Sequence, residues 1–297
     1  MLLGLTFNGF GSPWTLRHVD AEGLRATGRE LRIDAPRGLM WTRHDDAVAL
    51  VVFSPRGSAH GATLEIVDAG RLRVRRTIAV ARREVCAVAF DGASLVVLAA
   101  RPWCYGSGGS AFSVLRVAPG RSRVSSVTPV AGRWQLVWPA SIAFGGGDFY
   151  VARAGGEVDS IDARTGVRRT HRPRRALAKA GDRAVAHWLG GHALSVGGAV
   201  IDVRTWRSRM LRAGARSIIR DGLGERVAFG SDGLWLFAAD GRLRRHAIPG
   251  EDVSDVAAVG RFLYATVGSA TDVVDARTGR QVRVVPDPGL SWSLVAD

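Results

Sequence analysis

SIDARTGVRR (160–169) and VVDARTGRQV (273–282) place Asp-Ala-Arg-Thr-Gly twice in one chain. In each copy an apolar, strand-like run ends on Asp, a Gly closes the phrase, and a second run leaves it. An Asp side chain can bond the backbone two residues on, and Gly supplies positive φ, so the phrase reads as a tight turn between two strands. Looser copies occur at HVDAEGL (18–24), IVDAGRL (66–72), RVAPGRS (116–122), VIDVRTW (200–206) and FAADGRL (237–243). The phrase recurs because one hairpin is made seven times.

Upstream of the turns lie further strand pairs: GLMWTR-HDD-AVALVVF (38–53), VCAVAF-DGA-SLVVLAA (85–100), ASIAF-GGG-DFYVARA (140–154), AVAHWL-GG-HALSV (184–196), SIIR-DGLG-ERVAFG (217–230) and DVAAV-GR-FLYATV (255–267). None shows a helical period; each unit is four short strands. The spacing is about 42 residues, the length of a four-stranded propeller blade. Residues 2–7, 14–20 and 24–32 supply three strands of a first unit that lacks its innermost strand, and SWSLVAD (291–297) is a strand without a partner. Joined, they close a ring. The fold expected is all-β: a single seven-bladed β-propeller with four-stranded antiparallel blades, closed by the C-terminal inner strand plus three N-terminal strands. The expected blades are 1–33 with 290–297, 38–80, 85–128, 138–172, 183–212, 216–248 and 254–286.

Around IDARTGVRR, VDARTGRQV and FYVARAGGEVDSIDARTG the chain resembles the PQQ-like and YVTN (WD40-like) groups of bacterial β-propellers. That resemblance covers nearly the whole chain, and it implies architecture. The quinoprotein dehydrogenases of this type usually have eight blades and a tryptophan soon after the Thr-Gly turn. Here seven units are counted, no Trp follows Gly166 or Gly279, and Trp206 stands in place of the glycine. No catalytic set is carried over, and no cofactor is expected.

The chain has 297 residues, a formal net charge of +14 and 37 glycines. Nearly all its cations are arginine, with Lys179 alone among lysines, a bias that points first to a GC-rich coding sequence. Polyanion binding, to nucleic acid, an anionic glycan or a membrane surface, is the functional alternative. Arginines gather in GRLRVRRT (70–77), VRRTHRPRR (167–175), RTWRSRMLR (204–212) and GRLRRH (241–246), on outer strands where charge discourages edge-to-edge pairing. The densest run makes Arg172, Arg174 and Arg175 the candidate anion contacts. No apolar run approaches the ~18 residues of a membrane span. No signal peptide is visible, which leaves an extracytoplasmic location open if a leader precedes this sequence. Cys86 and Cys104 fit no zinc pattern. They fall on one blade, where a disulfide or two thiols both fit.

In a propeller the loops joining strands two and three, and those joining successive blades, share the top face. Blades one to three have long loops there, NGFGSPW (8–14), SPRGSAHG (54–61) and RPWCYGSGGSA (101–111), and the connection TPVAGRWQLVWP (128–139) is long as well. They carry Phe10, Trp14, His60, Trp103, Tyr105, Trp134 and Trp138, the expected ligand- or partner-binding residues. The expected function is a non-catalytic binding scaffold, a monomer taking a protein, small-molecule or glycan ligand on the top face. The alternatives are a propeller enzyme, of lyase, lactonase or quinoprotein type, and an anionic-polymer binder. For catalysis only His187 and Trp188, on the inner strand of blade five where one faces the channel, and Glu84, Asp252 and Asp255, near the channel's top rim, come into view. No Ser/His/Asp order, phosphate loop or HExxH is present, and no metal site is expected.

Overall fold

A computed structural model describes residues 2–7, 13–21, 24–34, 39–53, 62–80, 82–105, 109–134, 136, 141–153, 156–173, 185–286 and 291–295. The chain is an all-β, seven-bladed β-propeller of four-stranded antiparallel blades. Blade one contains β1 (Leu2–Phe7), β2 (Trp14–Val19) and β3 (Ala26–Ile33). Blade two is β4 (Leu39–His44), β5 (Ala47–Phe53), β6 (Ala62–Asp68) and β7 (Arg73–Val80). Blade three is β8 (Glu84–Asp91), β9 (Ser94–Arg101), β10 (Ser110–Val117) and β11 (Ser126–Trp134). Blade four is β12 (Ser141–Gly145), β13 (Asp148–Ala152), β14 (Val158–Asp162) and β15 (Arg168–His171). Blade five is β16 (Ala186–Gly190), β17 (Ala193–Val196), β18 (Ala199–Asp202) and β19 (Arg207–Met210). Blade six is β20 (Ala215–Arg220), β21 (Arg226–Gly230), β22 (Gly233–Phe237) and β23 (Leu243–Pro249). Blade seven is β24 (Val253–Val259), β25 (Phe262–Val267), β26 (Ala270–Asp275) and β27 (Arg280–Pro286). The last strand, β28 (Ser291–Val295), pairs antiparallel with β1 from Leu3↔Val295 to Phe7↔Ser291. The N-terminal sheet thus gets its inner strand from the other end of the chain, and β1 keeps no open edge there.

Two compact units emerge, Met1–Val137 with Ile161–Arg168 and Leu290–Asp297, and Trp138–Ser160 with Arg169–Gly289. In both, the apolar core lies between neighbouring blades. In the first unit Leu3, Leu5, Leu16 and Ile33 of blade one pack on Val48, Leu50 and Leu72 of blade two. Leu64, Ile66 and Ile78 of blade two also pack on Val85, Val97 and Leu115 of blade three. In the second unit Tyr150 and Val158 meet Leu194 and Ile201, and Phe229 and Leu236 meet Leu263 and Val274. Fully burying each such side chain contributes roughly 1.5–3 kcal/mol.

The repeated phrase makes the same turn each time. Asp162 Oδ1 accepts from the N–H groups of Arg164 and Thr165, both at 2.8 Å. Asp275 repeats this with Arg277 (2.9 Å) and Thr278 (3.2 Å), and Asp202 with Arg204 (2.8 Å) and Thr205 (3.3 Å). The turn then closes on a left-handed residue whose N–H reaches the Asp carbonyl, Gly166 at 2.9 Å and Gly279 at 2.7 Å. Where glycine is missing, a bulky residue takes the left-handed backbone and packs on the preceding blade. Leu72 (φ 46°) joins the core beside Ile33. Trp206 (φ 54°) stacks on His171 with centroids 3.5 Å apart.

Four of the turns also receive a donor from the preceding outer strand. Arg76 Nη1 donates to the Arg121 carbonyl (2.8 Å) and Thr128 Oγ1 to that of Arg164 (3.4 Å). Arg209 Nη1 donates to the Asp240 carbonyl (2.9 Å), and Arg244 Nη2 to that of Arg277 (2.7 Å). Outer-strand arginines therefore bond the next blade as well as charging the edge.

Two expectations follow. A Cβ on Gly166 would collide with the Pro129 carbonyl oxygen, whereas one on Gly92 meets nothing, although both have positive φ. Gly92→Ala should lose only the left-handed penalty of about 1 kcal/mol, and Gly166→Ala clearly more, measured by urea unfolding. Secondly, the backbone N–H bonds to Asp68 and Asp202 hold both carboxyls below the usual range; at Asp162 partial burial pushes the other way, and the N–H groups of Thr165 and Arg164 outweigh it. A depressed carboxylate pKa stabilises the fold above the unfolded value of about 4 and stops doing so as pH falls through the folded one. Thermal melting should therefore show a loss of stability below about pH 4, and Asp162→Asn should shrink it.

Candidate functional site

The β9–β10 loop of blade three is the best-defined candidate. Its two strands are secured first: Leu95, Val96, Val97, Leu98, Ala99 and Ala100 are all buried, as are Phe112, Val114 and Leu115. Cys86 on β8 and Cys104 in the loop form a disulfide with Cα atoms 5.5 Å apart, and both cysteines are buried. The Cys104 N–H donates to Glu84 Oε2 at 2.5 Å. Arg101 Nε donates to the Arg82 carbonyl at 3.2 Å. Tyr105 makes a parallel bridge with Leu136. Its hydroxyl pKa is pushed up by burial first and by the Glu84 charge second. Between these restraints Trp103 stays 45% exposed.

The other aromatic candidates separate from it. Trp134 is 6% exposed. It is stacked on Phe112 at 4.1 Å and covered by the Arg168 guanidinium 5.1 Å from its ring. The sequence reading put it in a connection starting at Thr128, but β11 runs on to Trp134 through a register shift and pairs it with Ser110. Pro129 and Gly132 look like loop residues in sequence, and the bulge accommodates them. Trp14 begins β2 and packs, half-buried, against the blade one and two core. Phe10, His60, Trp138, Arg174 and Arg175 lie outside the described residues. Arg172 is exposed, and its Nε donates to Glu157 Oε1 at 2.8 Å. Glu157 also faces Arg153, which pairs with fully buried Asp159. The blade's own acid thus answers the Arg172 charge.

In the second unit the inner strands of four successive blades carry a polar residue within their first three positions: Ser141, His187, Ser217 and Asp255. Each sits opposite the last or penultimate residue of its second strand: Ala152, Ser195, Phe229 and Thr266. The serines stitch blades together. Ser141 Oγ accepts from the Ala186 N–H (2.8 Å), and Ser217 Oγ donates to the Val185 carbonyl (3.4 Å). Burial pushes the His187 imidazole down to about 4, so it is neutral at pH 7. Burial pushes the Asp255 carboxyl up, against one bond from the Val256 N–H at 2.9 Å. The remaining sequence candidates have structural occupations: Glu84 on the Cys104 N–H, Asp252 on Arg216 Nη2 (3.1 Å), and Trp188 stacked 5.4 Å from Tyr150. Among the described residues no group of three or more His, Cys, Asp or Glu is placed to hold a metal ion.

Sequence reasoning missed Glu84 as the loop's anchor, because its partner is a backbone N–H that leaves no signature. Replacing Cys86 and Cys104 together, which lie 18 residues apart, should cost about 3 kcal/mol, read as a lower denaturant midpoint matched by reduced wild type. Because the His187 pKa is lowered to about 4 on folding, the unfolded chain takes up a proton the folded one refuses below about 6.5. Stability should fall between pH 6.5 and 4, and His187→Gln should flatten that limb of a melting-temperature profile.

No protein-family model matches the chain, and no curated protein does. Its likeness is to solved structures, a β-propeller domain among them. Apo AztD from Citrobacter koseri superposes with a TM-score of 0.59 at 12% identity, over 99% of this chain and 96% of that one. The computationally designed Ika8 protein gives 0.58 at 14% identity, over 94% and 85%. The β-propeller domain of Myceliophteria thermophila Cps50 (Swd1) gives 0.54 at 17% identity, over 84% and 85%. At these identities the likeness supports the propeller fold and nothing further.

Proposed function

We propose that the protein is a non-catalytic binding scaffold whose contact surface is centred on the β9–β10 loop of blade three, with Trp103 as its anchor. One observation carries this reading. Trp103 is 45% exposed while the disulfide, the Glu84 bond and the Tyr105–Leu136 bridge hold the residues beside it. An exposed indole costs little further side-chain entropy on binding when its backbone is already fixed. Large aromatic anchors dominate binding energy at interfaces. The fold is compatible with such a role, and propeller loops on a rigid scaffold suit it. The ligand class that fits is a protein or glycan surface offering an apolar or CH-rich face to the ring.

The test is affinity capture from the source cells followed by a binding titration with the captured ligand. Trp103→Ala should weaken binding at least tenfold, about 1.4 kcal/mol or more, while leaving the melting temperature unchanged. A ligand bound equally well by Trp103→Ala would contradict the proposal.

A further inference from the structure

A second cluster of charge lies at the opposite end of the strands, between blades five and six. Arg220 closes β20 and Arg226 opens β21, and the two are direct cross-strand partners. Their side chains therefore leave the same face of the sheet side by side, an arrangement that like charges disfavour. Neither is on an outer strand, so protection of an open edge does not account for them. The acids of the hairpin between them are largely engaged by other groups, although the Asp221 carboxylate also feels the Arg220 charge. Asp221 Oδ1 accepts from the Leu223 N–H (2.9 Å) and the Glu225 N–H (2.7 Å), and Glu225 pairs with Arg244.

The cluster reaches across to blade five. Arg220 Nη1 lies 3.1 Å from where a Cβ on Gly190 would stand, so it rests against the β16–β17 turn. From the other side Arg209, on β19, extends to the blade six turn at the Asp240 carbonyl (2.9 Å). Arg226 is half-buried between them. Its pKa is pushed down by burial first, then by Arg220, then by Arg209. Among the described residues the charges acting on Arg226 are those of Arg220 and Arg209, and Asp221 is the acid that feels Arg220. A half-buried guanidinium flanked by two others is costly unless an anion joins it.

We propose that Arg220, Arg226 and Arg209 form an oxyanion site between blades five and six, built for a phosphate group. It is independent of the Trp103 surface, being carried on other blades and at the other strand ends. Guanidiniums from three strands offer forked N–H donors to such an anion.

The test uses the whole protein and inorganic phosphate, with chloride added to keep ionic strength constant. Wild type should melt at rising temperature as phosphate increases. Arg226→Gln should melt higher than wild type in chloride alone, because the repulsion is relieved, and its apparent phosphate Kd should rise at least tenfold. Arg220→Gln, at a more exposed position, should likewise lose the phosphate response, and it carries the test alone if Arg226→Gln does not fold. Arg172→Gln should keep the response. A wild-type response no larger than that to chloride would overturn the proposal. So would a phosphate response that survives Arg220→Gln, since the anion would then sit elsewhere. A phosphate monoester that binds more tightly than inorganic phosphate through the same arginines would make the ligand an organic phosphate; equal binding would make it the free ion.

Discussion

Wherever two blades meet inside one unit, the turn between the third and fourth strands of one blade rests on the outer strand of the blade before it. That contact asks three things of the turn. It must be tight, which the Asp side chain achieves by collecting two backbone N–H groups, as Asp162 does at 2.8 Å each. It must close with a left-handed residue, and it must offer a carbonyl outward, as Asp240 does to Arg209 and Arg277 does to Arg244. The Asp-Ala-Arg-Thr-Gly phrase meets all three. Its persistence through an otherwise divergent repeat is a packing requirement, and the outer-strand arginines are part of it.

The same logic explains which parts of the molecule could be read in advance. The seven hairpins were legible because a tight turn with positive φ restricts its residues to a few types. The β28–β1 seam followed from counting strands. The αL position of Trp206 was hidden, since a tryptophan there contradicts the usual glycine rule, and only its stack on His171 shows what offsets the strain. Trp134 read as a loop aromatic because Pro129 and Gly132 resemble loop punctuation. A bulge carried the strand past them and buried the ring. Arg172 stood out in the densest basic run, yet Glu157 meets it from within the same blade. Arg226, in a far less conspicuous stretch, feels the charges of Arg220 and Arg209. Local composition reports the density of charge; pairing depends on partners brought in by the fold.

Against this regular frame the β9–β10 loop is an exception with its own fastening. Blades five to seven turn between their second and third strands with few residues, while blade three spends a longer loop, a disulfide and a partly buried glutamate contact there. Those restraints leave Trp103 outside. A loop that served packing alone would be expected to fold its largest ring inward. A fixed loop that displays one is organised for contact.

The most direct measurement is photocrosslinking in the source cells with a benzophenone side chain at position 103, compared with one at Val282, which is 54% exposed on an outer strand. The account predicts a discrete crosslinked species from position 103 and none from position 282. Crosslinks of equal yield from both positions, or from position 282 alone, would contradict it.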